Sequence, residues 1–185
     1  MPLDGRGRYR TRGRFSGVVI GVYAFLIVLV VVLLRGSFSG SGAWVPIAVV
    51  AALAFFLARY LSTRYTIDDR YLHAVRLLGG GRLDLEKVRR IEYARLRDLG
   101  ATGFTGSWGW RGRMWSPIVG RFDALHTEPD GLLVSAEPAG MFVSPRDPAT
   151  FARELSRRVR SYTGRLEVDV GDPRSDAAAG RTLDQ

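Results

Sequence analysis

Two long apolar runs dominate the first third of the chain. Residues 15–34 carry no charge, and residues 18–34 are almost entirely Val, Leu and Ile. Residues 43–61 form a second run whose only charge, Arg59, sits near its end. An α-helix rises 1.5 Å per residue, so a 20-residue run covers roughly 30 Å, the thickness of a bilayer's hydrocarbon core. The pattern predicts two transmembrane helices, 15–34 and 43–61, joined by a Gly- and Ser-rich connector beginning at Arg35. Pro46 falls in the first turn of the second helix, where its missing N–H costs little. A cleaved signal peptide fits less well, because the first run exceeds the usual apolar length and a second run follows it.

From residue 62 the period changes to two, the signature of half-buried strands. Tyr65 and Ile67 share one face. A second strand is expected over 71–78, ended by Gly79, Gly80 and Gly81. Leu83 and Leu85 alternate, as do Ile91 and Tyr93, before a loop over 94–103. Residues 104–114 alternate strictly: Phe104, Trp108, Trp110, Gly112 and Met114 fall on one face, Arg111 and Arg113 on the other. Residues 121–127 bring Phe122, Ala124 and His126 together. The segments 132–136 and 140–144 are expected to pair around Glu137 and Pro138.

A helix closes the pattern. Asp147 suits its N-cap and Pro148 its first position. Phe151, Leu155 and Val159 recur every four residues, with Arg153, Arg157, Arg158 and Arg160 on the remainder. Leu166, Val168 and Val170 alternate and could add an edge strand. The Asp-, Ala- and Gly-rich end is expected to be disordered from about residue 171.

Charge sharpens this picture. The 185 residues hold 27 basic and 18 acidic side chains, a net charge of +9, and every basic residue except Lys87 is Arg. Such a balance favours an anionic partner. Arg6, Arg8, Arg10, Arg12 and Arg14 precede the first run, and Arg59, Arg64, Arg70 and Arg76 close or follow the second. The positive-inside rule then places both termini in the cytoplasm of a multi-pass protein of the cell membrane. The expected division is a basic cytoplasmic tail over 1–14, a transmembrane hairpin over 15–61, a folded domain over 62–163 and a mostly disordered tail over 164–185.

Candidate chemistry is sparse. Without Cys there is no disulfide, thiolate ligand or Cys nucleophile. His73 and His126 are the only histidines and read as half-buried packing residues. Asp68 and Asp69 read as a turn. The Gly79–Gly81 run lacks the spacing of a phosphate-binding loop. No catalytic, metal or cofactor site is expected, and the reading is of a non-enzyme. Two surfaces remain as candidates. The strand bearing Trp108, Trp110, Arg111, Arg113 and Trp115 either fills the core with its Trp residues or presents an aromatic, cationic platform. Arg76, Arg82, Lys87, Arg89 and Arg90 cluster in sequence around the triple-glycine turn and would attract an anionic leaflet.

Many short strands closed by one amphipathic helix, behind a pair of apolar runs, resemble the bacterial membrane proteins with a pleckstrin-homology-like domain. The residues carrying the likeness are Tyr65-Thr-Ile-Asp-Asp-Arg70, Gly106-Ser-Trp-Gly-Trp-Arg-Gly-Arg-Met-Trp-Ser-Pro117 and Val143-Ser-Pro-Arg-Asp-Pro148. The resemblance implies an α+β chain: an N-terminal two-helix transmembrane hairpin, then a mainly antiparallel β barrel capped by a C-terminal amphipathic helix. It brings no catalytic residues. The function expected is a membrane-anchored binding module that docks a protein partner or anionic lipid headgroups. Two rivals stand beside it. One is a membrane-tethered nucleic-acid-binding protein, from the N-terminal Arg-Gly tract. The other is an accessory subunit or oligomer packed through Gly17 and Gly21.

Overall fold

The computed structural model describes residues 8–35, 44–103, 112–162 and 166–169, without the side chains of 33–35, 44 and 46. The first strand, β1 (Tyr9–Arg12), lies within the segment expected to be a basic tail. Helices α1 (Gly17–Arg35) and α2 (Trp44–Leu61) follow and pack on each other. Then come β2 (Arg64–Ile67), β3 (Tyr71–Val75), β4 (Gly80–Asp84), a 3-10 turn over Leu85–Lys87, and β5 (Val88–Arg95). The chain continues through β6 (Thr102–Gly103), β7 (Gly112–Ser116), β8 (Gly120–Leu125), β9 (Asp130–Ala136) and β10 (Gly140–Val143). Helix α3 (Pro148–Val159) and strand β11 (Glu167–Asp169) complete it.

The described strands form two sheets. One has four antiparallel strands in the order β1-β2-β3-β4. The other has seven, ordered β11-β5-β9-β10-β8-β7-β6, with parallel pairs at β10/β8 and β11/β5. Because β1 pairs with β2, the whole helical hairpin is inserted between two neighbouring strands.

Alternation decides which side chains meet. Tyr9, Tyr65, Ile67, Leu72 and Leu83 of the smaller sheet face Ile91, Leu132, Val134, Met141 and Val143 of the larger one. Phe151, Leu155 and Val159 of α3 close this core, and the Phe151 ring meets those of Tyr9 and Tyr65 edge-on at 6.0 Å. A bulge at Arg89 lets Val88 and Ile91 share the core face although they are three residues apart. The opposite face of the larger sheet holds a second cluster, Ala94, Met114, Phe122, Ala124, Leu133 and Phe142, against which Leu99 packs. Asp147 caps α3 as the sequence predicts, its carboxylate accepting from Thr150 N at 3.0 Å.

The expected fold class requires correction. Among the described residues no helix is long and apolar enough to cross a membrane. The last turn of α2 belongs to the β-sheet domain, since Arg59 and Tyr60 are buried there. That leaves residues 44–58, roughly 22 Å of helix against a core of roughly 30 Å. The expected transmembrane hairpin is therefore not present among the described residues, and the expected multi-pass placement in the cell membrane falls with it. What stands is a pair of packed helices exposing Val18, Phe25, Val28 and Val32 on α1, and Val45, Ile47 and Phe55 on α2. The expected barrel also becomes two sheets, with no strand pairing between them among the described residues.

Candidate functional site

The hairpin is fixed to the sheets by a set of polar contacts. The Tyr60 hydroxyl accepts from Ser16 N at 3.0 Å and donates to Thr127 O at 3.2 Å. The Thr127 hydroxyl donates to Arg14 O in a short bond. Gly13 N donates to Thr63 O at 3.0 Å, and Arg14 N to Ser144 O at 2.8 Å. Beneath them the Tyr65 hydroxyl donates to Leu125 O at 2.7 Å and accepts from Ser144 N at 3.2 Å. Burial pushes the Tyr60 and Tyr65 phenols up, so both remain protonated donors near neutrality.

The outer face of the four-stranded sheet starts at this junction. Its register aligns Arg12, Arg64, Val75 and Gly80 in one row, and Arg10, Thr66, His73 and Arg82 in the next. Strands lie about 4.8 Å apart, and same-face residues along a strand are about 6.8 Å apart. Four guanidiniums, from Arg10, Arg12, Arg64 and Arg82, therefore stand on one small exposed face. Among the described residues no carboxylate pairs with Arg10, Arg12 or Arg64. Arg82 lies over the Tyr71 ring at 5.2 Å. Among the described residues acid enters at the rim. Asp84 is 4.0 Å from Arg70, and Asp68 Oδ2 is 2.9 Å from His73 Nε2. Burial alone would raise the Asp68 carboxyl, but the N–H groups of Tyr71 and Arg70 and the His73 ring hold it below the usual value.

The β3–β4 turn ends this face beside the hairpin. Leu77 N donates to Ser62 Oγ at 2.8 Å, tying the turn to the end of α2. Leu77 and Leu78 are each about half exposed, and Val75 beside them is also exposed. Gly79 takes φ +79°, a left-handed conformation that other residues adopt at a cost, and so reverses the chain. A shallow hollow of about 470 Å³ lies here, edged by His73, Val75, Arg82 and the three glycines.

The sequence-predicted cationic cluster is not one surface. Only Arg82 lies on the face just described. Arg76 is buried, donating through Nη2 to His126 O at 2.9 Å. This corrects its assignment to an exposed patch. Burial pushes its guanidinium pKa down; Tyr65 opposes this and Arg59 adds to it. Lys87 and Arg89 are exposed but sit at the start of the other sheet. Arg90 is engaged by Glu92 at 3.0 Å and by Glu167 at 3.9 Å. The sequence missed Arg10, Arg12 and Arg64 as its partners because β1 reaches β2 across some 50 residues of chain.

The aromatic strand divides as well. Trp108, Trp110 and Arg111 lie outside the described residues. Arg113 and Trp115 project together from β7, opposite the buried Gly112, Met114 and Ser116. His126 packs edge-on against Phe142 at 5.6 Å, its Nδ1 2.9 Å from Glu128 O. His73, a packing residue by its spacing in sequence, belongs instead to the outer cationic face. Among the described residues no group of three or more His, Asp or Glu converges as a metal site.

Comparison with protein-family models, curated proteins and solved structures finds no match for the chain.

Proposed function

We propose that this protein is a non-catalytic binding module that docks on anionic lipid headgroups through the outer face of its four-stranded sheet. The observation that supports the reading is the register placing Arg10, Arg12, Arg64 and Arg82 side by side. Each arginine near an anionic leaflet contributes about 1 kcal/mol of attraction. The exposed turn of Val75, Leu77 and Leu78 adjoins them, so apolar and cationic contacts meet at one end. That pairing suits the boundary between headgroups and acyl chains. The exposed apolar side chains of α1 and α2 lie beside this turn, a surface suited to contact with a partner.

Flotation of the full-length chain with phosphatidylcholine vesicles, with and without phosphatidylglycerol, tests the reading. The expected result is binding that requires phosphatidylglycerol and weakens with salt. Reversing Arg10, Arg12 and Arg64 to Glu should weaken it roughly a hundredfold or more, from about 1 kcal/mol per residue. Equal flotation with neutral vesicles, unchanged by the reversals, would refute the docking face.

A further inference from the structure

The larger sheet is wider than the smaller one that covers it. Strand β4 ends the smaller sheet, and it lies close over β8 and β10. A Cβ built on Gly81 would meet Leu125 Cδ1 at 2.6 Å and Met141 Cε at 3.3 Å. Beyond that edge no described residue covers the same face of the larger sheet. Alternation along β8 puts Arg121 and Asp123 on the face of Leu125, and the register brings Arg113 opposite Asp123 and Trp115 opposite Arg121. Thr102 of β6 lies beside Trp115. These side chains, with Pro138 and Ala139, line an open groove of about 590 Å³.

We propose that this overhang is a docking site for an acidic segment of a partner protein, one that carries an aromatic or large apolar side chain. Two guanidiniums, Arg113 and Arg121, face one carboxylate, Asp123, so the groove holds a net positive charge. Carboxylates of the incoming segment pair with the guanidiniums, and its ring or apolar side chain packs on Trp115, which is 51% exposed. Trp and Arg together are the residue types that concentrate binding energy at protein interfaces. Position separates this site from lipid docking. Strand β8 runs from the groove toward the hairpin base, where Thr127 meets Tyr60, so Arg121 stands roughly 20 Å from that junction. The site is independent of the cationic sheet face, and the two would let one molecule bridge a lipid surface and a protein.

Fluorescence anisotropy of the full-length chain in non-ionic detergent, with a labelled alternating Glu-Tyr octapeptide as probe, tests the proposal. Trp115→Ala combined with Arg121→Glu is expected to weaken the peptide at least tenfold. Arg153→Glu, on the exposed face of α3, should change it less than twofold. A Glu-Ser octapeptide should bind at least fivefold more weakly than the Glu-Tyr one. Absence of binding, equal weakening by Arg153→Glu, or equal affinity for the Glu-Ser peptide would each overturn the proposal. So would loss of vesicle flotation, or of self-association, in the Trp115/Arg121 variant, since the occupant would then be lipid or a second copy. A thermal melt within a few degrees of the parent's is required of each variant. Should the double variant fail it, Arg121→Gln alone is expected to weaken the Glu-Tyr peptide about threefold, and no weakening would count against the proposal.

Discussion

Tyr60 is the residue on which the hairpin's attachment turns. Its single hydroxyl serves Ser16 N and Thr127 O, and its ring meets that of Phe15 at a tilt, with centroids 5.4 Å apart. Replacement by Phe keeps the ring and removes both bonds, leaving partly buried backbone groups without that partner. The expected cost is about 1–2 kcal/mol, read as a lower urea midpoint with an unchanged slope. An unchanged midpoint would mean that water replaces the hydroxyl. The sequence marks this tyrosine only as the end of an apolar run. Nothing in local spacing shows that its partners lie 44 and 67 residues away.

Among the elements, β1 changes the picture most. An Arg-rich stretch preceding an apolar run reads as a free tail, and on composition alone that reading is sound. Tyr9 decides otherwise: it is buried against Phe151, so the segment has an inward residue flanked by outward arginines. Tyr9→Ala should cost about 3 kcal/mol, the usual range for removing a buried aromatic side chain, measured by denaturant unfolding. A loss below about 1 kcal/mol would mean that β1 is not held in solution. A fragment starting at residue 62 would lack this strand and expose the edge of β2. Helix α3 shows the contrary case, since its cap, first-turn proline and four-residue period were all legible. Asp147→Ala is expected to remove about 1 kcal/mol by opening the cap. An unchanged melting temperature would argue that another group replaces it.

At the scale of the whole molecule, charge is distributed by the fold. Buried and paired carboxylates make stability depend on acid. Arg157 bonds hold the Glu154 carboxyl below its usual value, with burial opposing and Arg158 adding. The Asp147 carboxyl is held down by the Thr150 N–H and hydroxyl. A carboxyl whose folded pKa is depressed stabilises the protein above its unfolded pKa, and that stability disappears as pH falls through the folded pKa. Melting temperature should therefore change little between about pH 5 and neutrality and fall progressively below about pH 4.5, with the Glu92 carboxyl, which burial holds above its usual value, working against that fall. Glu154→Gln should shallow that fall, while lowering the neutral-pH value because Arg158 loses a buried partner at 2.9 Å. An acid limb as steep as the parent's would exclude Glu154 from it.

Periodicity by itself determined much of this protein. It located most of the strands, the hairpin at Glu137 and Pro138, the terminal helix with its cap, and the pairing potential of Leu166 and Val168. These are local properties, fixed by whether apolar residues recur at two or at three and four. The tertiary structure decided everything that depends on distant partners. Arg10, Arg12, Arg64 and Arg82 become one face only because β1 crosses the hairpin insertion to join β2, and register is set by which faces bury together. Arg76, a surface residue by its neighbours in sequence, is drawn inside by the His126 carbonyl 50 residues away. Hydropathy found the two helices but not their working length, because the turn that α2 gives to the β-sheet domain is chosen by contacts with Ser16 and Thr127, and no local pattern encodes them.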